Sequence, residues 1–217
     1  MQKFKKKISK KNFYFLFKNL LDFIFAFIFL ILGSPLIILI SLLIKFSSRG
    51  PIFYKQKRIG KNRKTFKCLK FRTMFPESED MLQNLLSRNK ELRIEYQKDF
   101  KLKNDPRITP IGEFLRKSSL DEIPQFLNVL KGEMSIVGPR PIVKKEVSKY
   151  GNSFKKAFSL RPGITGLWQV SGRNNLSYKK RVELDLIYAK DVSMVMDLRI
   201  IIRTIGVILF PKDRGAY

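Results

Sequence analysis

Two adjacent carboxylates, Asp121 and Glu122, are the side chains of this sequence best suited to chemistry. They lie in the segment LRKSSLDEIPQFLNVLKGEMSIVGPRP, residues 115–141, between Arg116 and Arg140. Arginine forks and helix N-termini both favour phosphate oxygens. A carboxylate in that setting can attack phosphorus or bind a magnesium ion. The segment therefore indicates a site for a phosphate-bearing ligand.

A purely structural role for the two acids stays open beside that interpretation. Ser119 and Glu122 have the spacing of a capping box. Pro124 suits a first helical turn, and Gly132 suits a helix end. These signals predict a helix with Asp121 and Glu122 at its N-terminus, where the acids would simply cap it.

The composition excludes several other chemistries. The chain has no histidine and a single cysteine, Cys68, so it cannot form an intrachain disulfide, a Ser-His-Asp triad or a usual zinc site. Its 44 Lys and Arg against 18 Asp and Glu give a net charge of +26. Such a charge points to nucleic acid, an anionic membrane face or phosphorylated ligands. With 217 residues, we expect one catalytic or binding unit.

An apolar segment, residues 23–44, lies well before the two acids in the sequence. It carries no charged side chain and is long enough to cross a bilayer. Residues 1–18 carry seven lysines and no acid, and residues 45–72 are also basic without an acid. Because basic flanks mark the cytoplasmic side, a single span would put one of them on the wrong face. We therefore expect a re-entrant helix that enters and leaves through one leaflet, with a kinked span as the alternative.

A break in this membrane helix is predicted at Gly33, Ser34 and Pro35. Pro35 cannot donate to the carbonyl of Ile31, and its ring kinks the helix. The Ser34 hydroxyl is placed to satisfy the freed carbonyl. A secretory signal peptide is set aside because no cleavage site follows the apolar run.

Three further elements are predicted from local patterns. Residues 51–74 contain two stretches of β-forming residues around residues 60–62, which indicates a basic hairpin close to the membrane. Residues 76–104 begin with proline and acids and predict one amphipathic helix. Residues 192–210 predict either a core helix or a helix lying in the membrane interface.

Three motifs together carry a family resemblance. KFRTM (residues 70–74), DPRITPIGEFLRKSSLDEIPQFLNVLKGEMSIVGPRP (105–141) and RPGITGLWQVSGR (161–173) occur in this order. With these motifs the chain resembles the bacterial sugar transferases, also called polyprenyl-phosphate hexose-1-phosphate transferases or small monotopic phosphoglycosyl transferases. The resemblance runs from about residue 19 to the closing RGAY, and it includes a re-entrant helix broken at Ser-Pro, here Ser34-Pro35.

The resemblance and the patterns together predict a mostly helical α+β fold. A basic segment, residues 1–18, precedes a re-entrant membrane helix-break-helix, residues 19–47. Residues 48–217 then form a cytoplasmic catalytic domain with a small basic β-hairpin and interfacial amphipathic helices. The expected location is the cytoplasmic face of the bacterial inner membrane.

The resemblance also implies a reaction. Family members use magnesium and transfer a sugar 1-phosphate from a UDP-sugar to a polyprenyl phosphate such as undecaprenyl phosphate, with release of UMP. This is the first membrane step of capsule, O-antigen, exopolysaccharide or glycoprotein glycan assembly. By the match, Asp121 attacks the sugar-bearing phosphate to give an aspartyl-phosphosugar and is a magnesium ligand. Glu122 assists by metal positioning or proton transfer.

The remaining site candidates bind substrate. Lys70 and Arg116 match phosphate-contacting positions of the family, and Arg72 is added from the same KFRTM motif. Pro139 and Arg140 match a Pro-Arg motif that contacts the nucleotide diphosphate. For the GLWQVSGR loop, packing by Trp168 and a role in sugar choice both stay open, and Gln169 and Arg173 are its candidates for ligand contact.

One departure from the family pattern lies in the hairpin turn, where Asn62-Arg63 replaces the common Asn-Gly. Arginine tolerates a positive φ poorly, so this turn type is open. The expected partners are a UDP-sugar, a polyprenyl phosphate and inner-membrane lipid, with no nucleic acid; a homodimer stays open. The alternatives to the transferase are another carboxylate-dependent membrane phosphotransferase or phosphatase, and a noncatalytic basic membrane scaffold.

Overall fold

The computed structural model describes residues 2–99, 102 and 104–210, and for residues 2–12, 98, 99 and 174 it describes the backbone alone. The helices are α1 (Gln2–Leu32), α2 (Ser34–Ser47), α3 (Ser78–Arg88), α4 (Lys90–Asp99), α5 (Pro110–Lys117), α6 (Gln125–Leu130), α7 (Val147–Tyr150), α8 (Phe154–Ala157), α9 (Tyr178–Asp191) and α10 (Met194–Leu209). The strands are β1 (Phe53–Ile59), β2 (Thr65–Phe71), β3 (Ser135–Val137) and β4 (Gly163–Thr165). The fold is therefore a mostly helical α+β fold, as predicted. The closing RGAY lies outside the described residues.

The first two helices meet at the predicted break. Gly33 separates α1 from α2, and Pro35 lies in the first turn of α2. The Ser34 hydroxyl donates to the carbonyl of Ile31 over 2.8 Å, as expected from the missing proline N–H. Within α1, the stretch Phe13–Leu32 is long and apolar enough to cross a membrane, whereas α2 is a shorter apolar helix. Residues 2–18 continue directly into this stretch as one helix.

Both arms of this helix pair pack against the same body of the protein. The Phe29 ring of α1 stacks on Phe126 of α6, with 4.0 Å between ring centroids. Ile44 of α2 is buried in a cluster with Phe71 and Leu115. The outward faces of both arms expose large apolar side chains. The chain therefore holds an apolar helix pair rigidly beside the residues that follow it.

Buried polar contacts also fasten α1 to the rest of the protein. The Lys18 ammonium lies 2.8 Å from a carboxylate oxygen of Asp197 on α10. Asp22 accepts a hydrogen bond of 2.6 Å from the Ser135 hydroxyl on β3. Because buried charges need partners, these contacts fix both the position and the rotation of α1.

The basic hairpin is confirmed. Strands β1 and β2 pair antiparallel, with Gln56 opposite Cys68 and Tyr54 opposite Lys70. In its turn, Asn62 and Arg63 both adopt positive φ, 54° and 65°. Tertiary contacts offset the strain at the arginine: the Asn62 N–H donates to the carbonyl of Phe158, and the Arg63 guanidinium lies 5.4 Å from the Phe154 ring centroid.

The single helix predicted over residues 76–104 is wrong. The structure has two helices, α3 and α4, separated by Asn89 in an extended conformation. The Asn89 side chain accepts hydrogen bonds from the N–H groups of Glu91 and Leu92, so it caps the second helix. Residues 100, 101 and 103 of the predicted helix lie outside the described residues.

The short parallel pair β3–β4 depends on two glycines. Ser135 pairs with Gly163 in this sheet. A Cβ atom on Gly163 would collide with the backbone of Gly138, so a larger residue would separate the strands. The Gly163 N–H also donates to the carbonyl of Pro139 over 2.9 Å. This approach fixes the backbone immediately before Arg140.

Helix α10 packs one face against the core and leaves the other face exposed. It buries Asp197 and Ile200 against the core. Its opposite face exposes apolar side chains, including Val195, Leu198 and Ile202, each more than half exposed. An exposed apolar face of this extent suits a membrane surface or another partner.

Candidate active site

The two acids singled out from the sequence meet one cation. The Lys70 ammonium lies 2.9 Å from Oδ2 of Asp121 and 2.8 Å from Oε1 of Glu122. The Arg140 guanidinium reaches the same oxygen of Glu122 at 3.5 Å. The structure thus brings together four of the predicted site residues.

Strand geometry explains why Lys70 points at the acids. Side chains two apart on a strand share a face, so Cys68 and Lys70 lie on one face of β2 and Leu69 and Phe71 lie on the other. Asn128 of α6 is fully buried and bridges to this strand, accepting from the Leu69 N–H and donating to the carbonyl of Lys67. This amide therefore ties the helix that follows the acids to the strand that carries Lys70.

The capping box predicted at Ser119 is wrong. Ser119 has a left-handed backbone, φ 59°, and its side chain makes no capping hydrogen bond. The acids lie in a 3₁₀ turn, Leu120–Glu122, and helix α6 begins only at Gln125 after Pro124. Gly132 follows the end of α6 with φ 71°, as predicted. The acids are consequently paired with side-chain cations and do not serve as caps.

Burial and charge act in opposite directions on this cluster. Burial alone would raise the pKa of Glu122, but Lys70 and Arg140 outweigh it and lower the pKa to about 2. Burial would lower the pKa of Lys70, and the two acids more than compensate, so this pKa is raised. At neutral pH the site therefore holds an ionised Glu122 and a charged Lys70.

Arg58 is a site residue that the sequence interpretation missed. It lies on β1 on the face shared with Cys68 and Lys70, and it lines the same cleft as Glu122 and Arg140. Burial lowers its pKa, and the nearby Arg140 lowers it further. Strand alternation in the predicted hairpin was the available signal, because it puts residues 56 and 58 on the face of residues 68 and 70.

The cleft between these side chains is narrow. Its volume is about 10 Å³, room for one water molecule. A nucleotide or sugar cannot enter without displacing side chains, and the ion pairs of Lys70 and Arg140 close the cleft. Ligand phosphates would have to replace carboxylates as partners of these cations.

The other predicted substrate-binding residues fall into two groups. Arg116 and Arg173 are near enough to interact electrostatically with Asp121 and Glu122, respectively, and burial lowers the pKa of both arginines. Arg72 is directed elsewhere: its guanidinium donates to the carbonyls of Arg49 and Ser48 at the end of α2. That arrangement fastens the end of α2 to the residues that follow β2.

The GLWQVSGR loop approaches the site through its tryptophan. Trp168 is buried, and the guanidinium of Arg140 lies 5.9 Å from its ring centroid. Gln169 donates to the carbonyl of Ile164, while its Oε1 is buried without a hydrogen-bond partner among the described residues. Pro139 is fully buried. The Trp168 ring of this loop thus lies against the Arg140 guanidinium.

The carboxylates of Asp121 and Glu122 are placed so that both could bind one magnesium ion. Asp121 and Glu122 offer carboxylate oxygens that converge on a single cationic point, the position of the Lys70 ammonium. Among the described residues, no group of three or more acids or cysteines could hold a metal. Magnesium commonly takes one or two carboxylates and completes its shell with water and substrate phosphates, so two acids suffice.

Asp185 is another buried acid, and its pKa is raised whereas the pKa of Glu122 is lowered. Asp185 is fully buried, and burial raises its pKa to about 7, although the Tyr150 hydroxyl and Arg140 both act to lower it. The folded protein therefore holds this proton between about pH 4 and 7, where the unfolded chain has lost it. Its contribution to stability is present at low pH and is lost as the pH rises to 7.

Replacing Asp185 with asparagine should flatten this pH dependence. We expect the thermal midpoint of Asp185→Asn, relative to the unmodified protein, to be higher at pH 8 than at pH 5. Differential scanning fluorimetry at both pH values measures it. An offset that is the same at the two pH values would show that Asp185 does not titrate in this range.

Arg140→Lys removes the planar guanidinium of Arg140 and keeps its positive charge. Lysine cannot reproduce the contact with Glu122 together with the position over Trp168. We expect turnover to fall by one to two powers of ten, corresponding to about 1.5 to 3 kcal/mol for a charge-assisted hydrogen bond. Initial rates of turnover measure the loss, and unchanged turnover would place Arg140 outside the reaction.

Two acids held by a lysine and an arginine, beside an apolar helix pair, are the features of a membrane-associated enzyme that handles phosphate groups. Comparison with known proteins gives the class. A family model described as bacterial sugar transferase matches residues 13–211. The chain belongs to the bacterial sugar transferase family.

Three relatives illustrate the match. An uncharacterized sugar transferase of Haemophilus influenzae is 50% identical over 200 residues, covering 92% of this chain and 42% of the relative. The exopolysaccharide production protein ExoY of Sinorhizobium fredii is 46% identical over 210 residues, covering 97% and 88%. The undecaprenyl-phosphate galactose phosphotransferase of Salmonella typhimurium is 44% identical over 210 residues, covering 97% and 43%. The chain thus spans less than half of two relatives and most of the third.

Proposed function

We propose that this chain transfers a sugar 1-phosphate from a UDP-sugar to a polyprenyl phosphate such as undecaprenyl phosphate, releasing UMP. The observation that carries the proposal is the contact of Lys70 with both Asp121 and Glu122, inside a cleft that Arg58 and Arg140 also line. The name of the Salmonella relative supports the acceptor and the type of transfer. Surface glycan assembly is the corresponding process.

The chemistry proceeds in two displacements at one phosphorus atom. A carboxylate oxygen of Asp121 attacks the sugar-bearing phosphorus, the bond to the bridging oxygen breaks, and UMP leaves with that oxygen. The product on the enzyme is an aspartyl-phosphosugar. An oxygen of the polyprenyl phosphate then attacks the same phosphorus, which releases Asp121 as a carboxylate and yields a polyprenyl diphosphate sugar.

The neighbouring side chains hold the reactants and their charge. Lys70, Arg58 and Arg140 exchange carboxylate contacts for phosphate oxygens as the donor enters. Glu122 assists by metal positioning or proton transfer. Arg116 and Arg173 add positive charge at the edges of the site.

Magnesium belongs to this proposal. Asp121, with Glu122 beside it, would hold the ion together with donor phosphates. When bound, Mg²⁺ neutralises phosphate charge and polarises phosphoryl oxygens. Titrating metal-free protein with Mg²⁺ and UDP-sugar while measuring binding heat tests this, with Asp121→Asn as the matched variant.

The reaction needs both a soluble and a membrane-bound substrate, which accounts for the helix pair. We propose that α1 and α2 enter and leave the cytoplasmic leaflet of the bacterial inner membrane, with the break at Ser34-Pro35 inside it. Basic residues on both flanks support this arrangement. The exposed apolar face of α10 would rest in the interface of the same leaflet.

Cysteine labelling distinguishes this topology from a span. In a Cys68→Ser background, single cysteines at Lys7 and Arg49 should react from the same side of inverted vesicles. Arg49 is exposed, whereas the Ser48 hydroxyl contacts Arg72 and should be left intact. Replacing Ser34-Pro35 with Ala-Ala should favour a continuous helix and move one label to the opposite side. Opposite labelling in the unmodified sequence would refute the re-entrant arrangement.

The transfer reaction is tested with a panel of UDP-sugars. Purified protein, Mg²⁺ and undecaprenyl phosphate should release UMP with at least one of them and form a lipid diphosphate sugar. Release of inorganic phosphate instead would indicate a phosphatase, and no turnover with any donor would indicate a scaffold. The panel also identifies the sugar.

A further inference from the structure

A second cavity lies apart from the acid pair, where α1 meets the hairpin turn and strand β3. Its volume is about 40 Å³, and none of the residues that line it lines the cleft at Glu122. At about 10 to 15 Å³ for each water, it has room for roughly three waters, comparable with a phosphate group. The cavity is therefore a separate site by position and is large enough for a small anion.

The polar side of this cavity is cationic. Lys18, Lys61 and Arg161 line it, and Arg161 donates to the Asn19 side chain over 2.9 Å. Lys18 is neutralised by Asp197, 2.8 Å away. Among the described residues, neither Lys61 nor Arg161 has a carboxylate within salt-bridge distance. These two charges are therefore available to an anion.

Apolar side chains also line the cavity. Phe15 of α1 and Leu160 are among them. A site that joins two unpaired cations to an apolar surface suits an amphiphile with an anionic head more than a soluble anion.

The expected position of the cavity in the membrane is at the level of the lipid head groups. Lys18 and Ser48 each lie 15 residues from Gly33, which is about 22 Å along a helix. Half of a bilayer that includes its head groups is roughly the same thickness. If both arms enter one leaflet, the cavity beside Lys18 lies at the level of the lipid phosphates. This step rests on the membrane arrangement given under the proposed function.

We propose that this cavity binds the phosphate of a membrane phospholipid, with Lys61 and Arg161 contacting the phosphate and Phe15 contacting the acyl chain. The lipid would hold the hairpin turn to α1 and so fix the catalytic residues at the membrane surface. It is a structural ligand distinct from the polyprenyl phosphate acceptor, because the cavity shares no residue with the cleft of the acid pair.

Native mass spectrometry of the full chain, delipidated in detergent, tests the site. Dioleoylphosphatidylglycerol and dioleoylglycerol are the matched ligands, since they differ only in the phosphoglycerol head. We expect one phosphatidylglycerol to be retained and dioleoylglycerol to be lost. Lys61→Gln combined with Arg161→Gln should reduce retention at least fivefold. Inorganic phosphate alone should not be retained, because it lacks the acyl chain.

A charge-matched variant separates this site from general attraction to a basic protein. Lys57 and Lys64 are exposed on the same hairpin and do not line the cavity. Lys57→Gln combined with Lys64→Gln removes the same charge and should leave retention unchanged. Equal retention by both double variants, or displacement of phosphatidylglycerol by one equivalent of undecaprenyl phosphate, would overturn the proposal.

The same preparations are assayed for UMP release, so the two proposals fail separately. Absence of UMP release with normal lipid retention would overturn the transferase function alone. Normal UMP release with no difference between phosphatidylglycerol and dioleoylglycerol would overturn the lipid site alone. Asp121→Asn should retain the phospholipid as well as the unmodified protein does.

Discussion

Replacing Asp121 with asparagine should abolish both turnover and the covalent intermediate. An amide is a poor nucleophile and a poor magnesium ligand, so we expect UMP release to fall by at least about 10³-fold. With UDP-sugar and Mg²⁺ but no lipid, the unmodified protein should release up to one equivalent of UMP. Intact-protein mass spectrometry should then show the added mass of a phosphosugar, and peptide mapping should place it on the peptide that contains Asp121.

Glu122→Gln is the matched control because it removes the neighbouring carboxylate from the same 3₁₀ turn. We expect slow turnover with some trapped adduct, since the nucleophile remains. Direct attack by the lipid phosphate would give no UMP in the absence of lipid. Near-normal turnover of Asp121→Asn would return this acid to a structural role as a partner of Lys70 and exclude the covalent mechanism.

Local sequence signals predicted the features that depend on backbone chemistry. The missing N–H of Pro35 and the nearby hydroxyl of Ser34 were enough to predict the hydrogen bond to Ile31. Alternating β-forming residues around residues 60–62 predicted the hairpin. Gly132 predicted the end of α6. Each of these signals acts within a few residues of the chain.

Three other features were mispredicted or left open by the local patterns. Asn89 divides residues 76–104 into two helices, although the apolar spacing alone favours one. Ser119 has the spacing of a cap but adopts a left-handed backbone. Arg63 accepts a positive φ because the neighbouring Asn62 N–H bonds to Phe158 and its own guanidinium faces Phe154. At Arg63, tertiary contacts outweigh the local preference.

The candidate site shows the same division. Asp121, Glu122 and Arg140 were recognisable from their type and setting, and the resemblance supplied Lys70. Their convergence depends on Asn128, which ties α6 to β2 through hydrogen bonds to residues about 60 positions away. Arg72 shares a motif with Lys70 yet points to the end of α2. Spacing alone did not separate those two cations.

Lys70→Met should lower the stability of the folded protein, and the size of this loss should depend on pH. Methionine leaves Asp121 and Glu122 without their closest cation, which costs on the order of 3 kcal/mol for a broken buried pair. In the unmodified protein the pKa of Glu122, about 2, is below its unfolded value near 4.3. The resulting stability is fully present above pH 4.3 and is lost as the pH falls towards 2, so it is constant between pH 5 and 8.

Without Lys70, burial should raise the pKa of Glu122, and the folded protein should bind a proton that the unfolded chain releases. The stability of Lys70→Met should therefore fall as the pH rises from 5 to 8. Thermal midpoints of Lys70→Met and of the unmodified protein at pH 5 and pH 8 measure the effect. The midpoint of Lys70→Met should lie below that of the unmodified protein by a larger difference at pH 8 than at pH 5. Lys70→Arg keeps the charge and should show a deficit independent of pH. A Lys70→Met deficit that is equal at pH 5 and 8 would mean that Arg140 and solvent, without Lys70, keep Glu122 ionised.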